Sequence, residues 1–470
     1  MKGERMNKKE KKTSSSMNPF VPLLLMVLAC AIVSYFVSPG SYDRETIDGV
    51  TRVLPESYHA VERTPISFFN LFRSIPEGLT ATANMMFCVM IIGGIVEIYK
   101  RTDTVGAAIN SVLKASEKMS SQVIIAVVMI VFFIFGGILG WSEHIIPFVP
   151  IIISLAISLG YDSLVGMAIS GFACLISFAV APFNVYTVGI SHTIAELPMF
   201  SGWQLRMVAL VTIWVLSLAW VMRYAKIIKA DPTKSLVKDV DTSSLRIPVD
   251  NNLKFDMPKK LSFVVLGISI LCTIYGILKL SWSYTEMATT FMIGGVIVAV
   301  INKVNFESAI NMVLDGAKGA FNGALIIGVA RAVQWTMTNG GLIDPLVHGL
   351  SKLMGSASAY MSTIGMFIVN FFINALIPSG SGQATAVMPI MVPLADMLHI
   401  TRQTAVLAFQ FGDGISNTFW FTNGTLLIYL SLGKIPLKSW YKFILPLQGI
   451  FFLVEFIFLF IAVQSGYGPF

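Results

Sequence analysis

Charged side chains make up only 13% of the 470 residues, against 55% hydrophobic, and mean hydropathy reaches +0.74. A soluble globular chain of this size does not carry that balance, so the sequence reads as an all-α polytopic membrane protein. Cysteine is scarce too: Cys30, Cys88, Cys174 and Cys272 each stand alone in an apolar segment. With no CxxC or Cys/His grouping, they exclude a disulfide framework and a zinc site, and read as core residues. The sequence holds no GxxxxGKS/T phosphate loop, HExxH pair or nucleophile elbow. Neither an ATP engine nor an intramembrane enzyme is encoded, and no catalytic residue or organic cofactor is expected. The net charge of +7 lies largely in the N-terminal tail and a central loop, without interleaved aromatics. That pattern sets orientation in a lipid bilayer and does not suit nucleic acid.

What the chain does have is one stretch, 370–424, as apolar as a membrane span yet interrupted twice. Pro378 to Gln383 reads PSGSGQ, and Ser416 to Gly424 reads SNTFWFTNG. Irregular backbone at membrane depth is tolerated only where it is buried in protein or lines a wet cavity, so these breaks predict half of a binding site. The other half recurs upstream. A constant offset of 239 residues pairs Ser142 with Ser381, Pro150 with Pro389, Ser177 with Ser416 and Asn184 with Asn423. The polar and proline matches at the break positions imply two inverted repeats, each with a re-entrant helical hairpin and a broken transmembrane helix.

The segments then fall in order. Residues 1–63 hold a Lys-rich cytoplasmic tail, a retained first helix (19–37) and an outside loop. The first repeat spans 64–222: an amphipathic stretch, a span at 83–98, a short amphipathic helix at 105–115, a hairpin at about 122–159, a crossing at about 164–194 broken at Ala181 to Asn184, and a return span. A basic linker, 223–260, is cytoplasmic, and two linking spans fill 261–302. Two spans here against one before the first repeat make an odd difference, which inverts the second, 303–470. It is read as a surface stretch (305–316), a separate span (320–338), a second surface stretch, a hairpin at about 358–398, a broken helix at about 404–430 and a last span. About nine crossings result, with the N-terminus cytoplasmic and the C-terminus outside.

The hairpin tips carry Ser142, Glu143 and His144 on one side and Ser381, Gly382 and Gln383 on the other; the broken helices add Asn184, Ser416, Asn417, Thr418 and Asn423. Small hydroxyl and amide groups beside helix ends suit a substrate, and suit a Na⁺ near Ser142, Asn184, Ser381 and Asn423. As single residues they equally serve as helix caps. Three ionisable residues sit at membrane depth, where charge is functional by default: Glu143, Asp413 and Arg331. The repeat explains neither acid, since their counterparts are Gly382 and Cys174, which points to specificity for a cationic substrate. Arg331 lies outside the hairpin modules and reads as a structural or interface charge. A dicarboxylate would be left to helix N-termini, hydroxyls, amides and His144.

The order of broken hairpins, with IPSGSGQATAVMPIMVPLAD and FGDGISNTFWFTNG, resembles the YfcC-type family, related to the C4-dicarboxylate anaerobic carriers within the ion transporter superfamily. The resemblance covers nearly the whole chain. It implies a dimerising scaffold domain and a transport domain of two hairpins and two broken helices that moves as an elevator. Related dicarboxylate/sodium symporters carry Ser-Asn-Thr at each hairpin tip; here Ser142 and Ser381 match. Some members look like arginine/ornithine antiporters. The resulting expectation is a bacterial plasma-membrane secondary transporter of a small amino acid, arginine/ornithine exchange first. The alternative is a C4-dicarboxylate or other organic-anion carrier coupled to Na⁺ or H⁺. A channel or membrane enzyme would need a pore symmetry or a catalytic constellation, and the chain has neither. The partners expected are a small-molecule substrate, the bilayer and a second copy as homodimer.

Overall fold

The computed structural model describes residues 20–47, 50–54, 57–116, 120–247, 255–280, 282–354 and 358–468. The basic tail before Phe20 and part of the central linker, with Lys254, lie outside them. The first apolar run forms α1 (Phe20–Val33) and stops short of the expected Val37, where Ser34 makes one local and one long-range hydrogen bond. It donates to Ala31 O (2.6 Å) and accepts from Ile66 N (3.0 Å), pinning the exit of α1. The next segment corrects the all-α expectation. It forms two short antiparallel ribbons, β1 (Gly40–Ser41) with β4 (His59–Ala60), and β2 (Arg44–Ile47) with β3 (Val50–Val53).

The first half continues with α2 (Phe68–Ala81), α3 (Ala83–Arg101), α4 (Thr104–Ser116) and α5 (Ser121–Gly137). A tight turn follows, then a 3₁₀ segment (Glu143–Phe148) leading into α6 (Val149–Ser158). The first broken crossing is α7 (Ser163–Met167), a wide turn (Ala168–Phe172) and α8 (Ala173–Ala179), then irregular backbone, a second wide turn (Val185–Gly189) and α9 (Ile190–Ile194). The long α10 (Trp203–Ala230) and α11 (Met257–Leu280) both reach into the expected linker, which is shorter than predicted. They are followed by α12 (Tyr284–Ile301).

The second half departs once from expectation. The surface stretch and the span expected at 305–316 and 320–338 are one helix, α13 (Phe306–Asn339), 34 residues long. Asn305 caps it through Ser308 N (2.8 Å). Gly316 does not end it, because it lies against the backbone of Gly93 and Gly94 in α3, a close approach that only glycine allows. The ladder then runs α14 (Ile343–Met354), α15 (Ala359–Ile373), α16 (Gly380–Met397), α17 (Arg402–Ser416), α18 (Gly424–Leu432) and α19 (Leu437–Gln464).

Among the described residues, six helices are long and apolar enough to cross a membrane: α3, α10, α11 to Ile277, α12, α13 and α19. The other three expected crossings correspond to α1 and to the two broken runs, whose pieces are individually shorter. Helix α13 runs antiparallel along α2 and α3, Gly78 meeting Gly328 and Ala332 while Gly94 meets Val313. In neither hairpin do the arms pack chiefly on each other: α5 lies on α8, and α15 on α17. Helices α8 and α17 touch in turn at Ala179 and Gly414. Of these elements α3, α8 and α13 border one polar cavity, together with both hairpin turns.

Candidate substrate site

The cavity, about 260 Å³, lies where the first hairpin turn, the start of α16, the gap before α18 and the middle of α13 meet. Half of the predicted site residues face it: Ser142, Glu143, His144, Ser381, Asn417 and Asn423. Glu143 opens the 3₁₀ segment. Its carboxylate accepts from the Ser142 hydroxyl and from Thr425 Oγ1 (3.2 Å), and among the described residues it has no cationic partner. The Ser142 carbonyl is itself held by the buried Tyr429 hydroxyl, so the turn presenting Glu143 is fixed from behind.

His144 is buried in an aromatic stack, with Trp141 at 5.3 Å on one face and Tyr284 at 5.1 Å on the other. Both ring planes lie within 26° of the imidazole, and Nδ1 has no partner. Asn423 caps α18 through Leu426 N (2.9 Å) and donates to Asn417 Oδ1 (2.7 Å). Asn184 caps the matching turn through Tyr186 N (2.9 Å) and Thr187 N (3.3 Å). The two caps share a conformation, φ −69°, ψ 109° at Asn184 and φ −73°, ψ 109° at Asn423. Asn184, however, is fully buried away from the cavity.

The remaining predicted residues are also placed elsewhere. Gly382 lies in the first turn of α16, its N–H capped by Ser379 Oγ (3.3 Å). Gln383 turns into its own hairpin and donates to Asn370 O (3.0 Å) and Oδ1 (2.9 Å), tying α16 to α15. Ser416 donates to Asp413 O (2.6 Å), and Thr418 to Ile415 O (2.9 Å) and Gln448 Oε1 (3.2 Å). Asp413 is fully buried beneath the cavity floor and does not line it.

Arg331, expected as a structural or interface charge, lines the cavity. It projects from α13 into the cavity, half-buried, and donates to the Gln334 side chain one turn on. No ion pair among the described residues joins it to a carboxylate, Glu143 included. Its position was not legible because a lone arginine in a span carries no sign of which face it occupies. Tyr186, Tyr284, Gln334, Ser379 and Thr425 also line the cavity and escaped the sequence reading. Ser379, Thr425 and Tyr186, within or beside recognised breaks, gave a local signal. Among the described residues no group of three His, Cys, Asp or Glu is placed to hold a metal. The chamber thus offers one carboxylate, one guanidinium, aromatic walls and neutral oxygens to a small solute.

Two broken helices and two hairpin turns closing on a polar chamber inside a multi-pass helical protein are the arrangement of a membrane transporter. The chain belongs to the C4-dicarboxylate anaerobic carrier family, whose profile matches residues 18–464. It is 28% identical over 404 residues to an Escherichia coli protein provisionally named basic amino acid antiporter YfcC, covering 83% of this chain and 79% of that one. An uncharacterized protein of Haemophilus influenzae is 27% identical over 417 residues, covering 87% and 81%. Two solved structures are also similar. The YdaH transporter of Alcanivorax borkumensis has a TM-score of 0.44 at 13% identity, covering 96% of this chain and 100% of that one. The Neisseria gonorrhoeae MtrF efflux pump has 0.43 at 14%, covering 95% of each. At those scores neither adds to the account of the fold.

Proposed function

We propose that the protein exchanges basic amino acids of the arginine/ornithine type across the bacterial plasma membrane. One observation carries the reading: Glu143 and Arg331 face the same cavity without pairing to each other. An α-amino acid brings its own carboxylate to Arg331 and a cationic group to Glu143, completing two charge-assisted interactions that the protein's own side chains do not make. A dicarboxylate would set its second carboxylate against Glu143 with no second guanidinium to offset it. The name of the Escherichia coli relative agrees with this reading.

The movement we assign is an elevator stroke. Residues 64–222 and 303–470 act as inverted repeats, joined by the linker 223–260 and the spans of 261–302, in a homodimer with the N-terminus cytoplasmic and the C-terminus outside. The matching Asn184 and Asn423 caps support the repeat, as does the antiparallel packing of α13 on α2 and α3, its counterparts at the 239-residue offset.

Uptake into proteoliposomes tests the function. Labelled arginine should enter vesicles preloaded with ornithine and not empty ones, and labelled succinate should enter neither. Succinate entry, with arginine excluded, would return the protein to dicarboxylate transport and sink the exchanger.

A further inference from the structure

Beneath the cavity floor, two buried side chains crowd against the backbone of Gly380, the first residue of α16, and a third is bonded to the backbone of one of them. A Cβ at Gly380 would lie 2.6 Å from Thr187 Cγ2, 3.4 Å from Asp413 Oδ2 and 3.9 Å from Asp413 Oδ1. Gly380 also lines the cavity, so its backbone stands between that cavity and Asp413. Asp413 is fully buried, and neither carboxylate oxygen has a hydrogen-bond partner. The Thr187 hydroxyl, on a residue 1% exposed, has none either. Asn374, equally buried, donates its amide to Asp413 O (2.6 Å), Ser416 Oγ (2.6 Å) and Asn417 Oδ1 (2.9 Å), and its own Oδ1 is left without a donor.

Buried polar atoms in folded proteins are nearly always satisfied, because leaving them bare costs their full desolvation. Protonating Asp413 would meet that demand with a neutral O–H and leave the protein's stability independent of Na⁺, whereas a bound cation makes it depend on Na⁺. A set made only of carboxylate, hydroxyl and amide oxygens is met instead by a hard cation. One carboxylate among neutral oxygens balances a single positive charge.

We propose that Asp413, Thr187 and Asn374 form a binding site for a monovalent cation of the sodium class, distinct from the substrate cavity and separated from it by Gly380. The site differs from the one expected from sequence. There, Asn184 and Asn423 spend their side-chain oxygens capping helices, and Ser142 gives its hydroxyl proton to Glu143. The new ligands come from α17, from the turn before α16 and from the second part of the first broken crossing. Occupancy therefore fixes the start of α16, which is also one wall of the substrate cavity, and links ion to solute. The inference does not rest on which solute is carried, and its test omits solute altogether.

Thermal unfolding of the purified full-length protein is followed as choline chloride is replaced by NaCl at constant ionic strength, with a parallel KCl series. Wild-type Tm should rise with Na⁺ to a plateau, and by less with K⁺. Asp413→Asn should abolish the rise. Thr187→Val should raise the half-saturating Na⁺ concentration about tenfold or more, the scale on which loss of a supporting group weakens a metal site. If Asp413→Asn does not fold, the Thr187→Val shift decides alone. A flat wild-type curve, an equal rise with KCl, or a Na⁺ dependence unchanged in Thr187→Val overturns the site.

Discussion

At the scale of single residues, the proposed exchange divides recognition of the solute between Glu143 and Arg331. Removing either charge deletes one charge-assisted hydrogen bond to solute, worth about 1.5–3 kcal/mol, or roughly 10- to 100-fold in affinity. Glu143→Gln is therefore expected to raise the KM for arginine by that factor while binding of the solute's carboxylate end persists. Arg331→Gln should raise it for every solute bearing a carboxylate. Competition by unlabelled arginine and by agmatine, which lacks the carboxylate, separates the two. If Arg331→Gln weakens agmatine as much as arginine, Arg331 does not read the carboxylate. Of this pair only Glu143 was assigned to the site from sequence, because it sits on a recognisable break. Arg331 was visible as an intramembrane charge, but its facing is decided by how α13 packs on α3, a long-range fact no local pattern records.

At the scale of elements, the interruptions were legible and the side-chain directions were not. Proline, glycine and asparagine at Pro378, Gly380, Asn184 and Asn423 mark helix ends because each changes what backbone hydrogen bonds are available. The asparagine caps fall where expected. By contrast Gln383 shares a first helical turn with Ser381 yet faces the opposite way, since successive helical residues are rotated by about 100°. Its role is to hold α16 on α15. Gln383→Ala should leave Asn370 Oδ1 bare and Asn370 O with the Asn374 N–H alone, lower stability by about 1–3 kcal/mol and leave the order of solute preference unchanged. Urea or thermal unfolding beside transport competition checks it, and altered preference with unchanged stability would return Gln383 to the chamber. The join of two expected segments into α13 was hidden for a similar reason. Gly316 reads locally as a helix breaker and is stabilised by a partner helix far away in sequence.

At the scale of the whole molecule, the proposed nine crossings place the two termini on opposite sides of the membrane. A reporter enzyme active only outside the cytoplasm should work when fused after Gln464 and fail when fused at the N-terminus; activity at both ends or neither would require an even number of crossings. The ribbons of residues 40–60 are fastened to α14, Asp344 accepting from Arg44 Nη2 (2.6 Å) and Tyr42 N (3.1 Å), so this segment is bound to the helices beneath it. The stacked rings at the chamber wall have a different bearing. His144 belongs to the hairpin turn and Tyr284 opens α12, so under the proposed stroke this contact parts in each cycle and reforms. An aromatic contact of this kind is worth about 0.5–1.5 kcal/mol, enough to slow each departure by up to roughly tenfold. Under that stroke the stack is a latch as well as a wall.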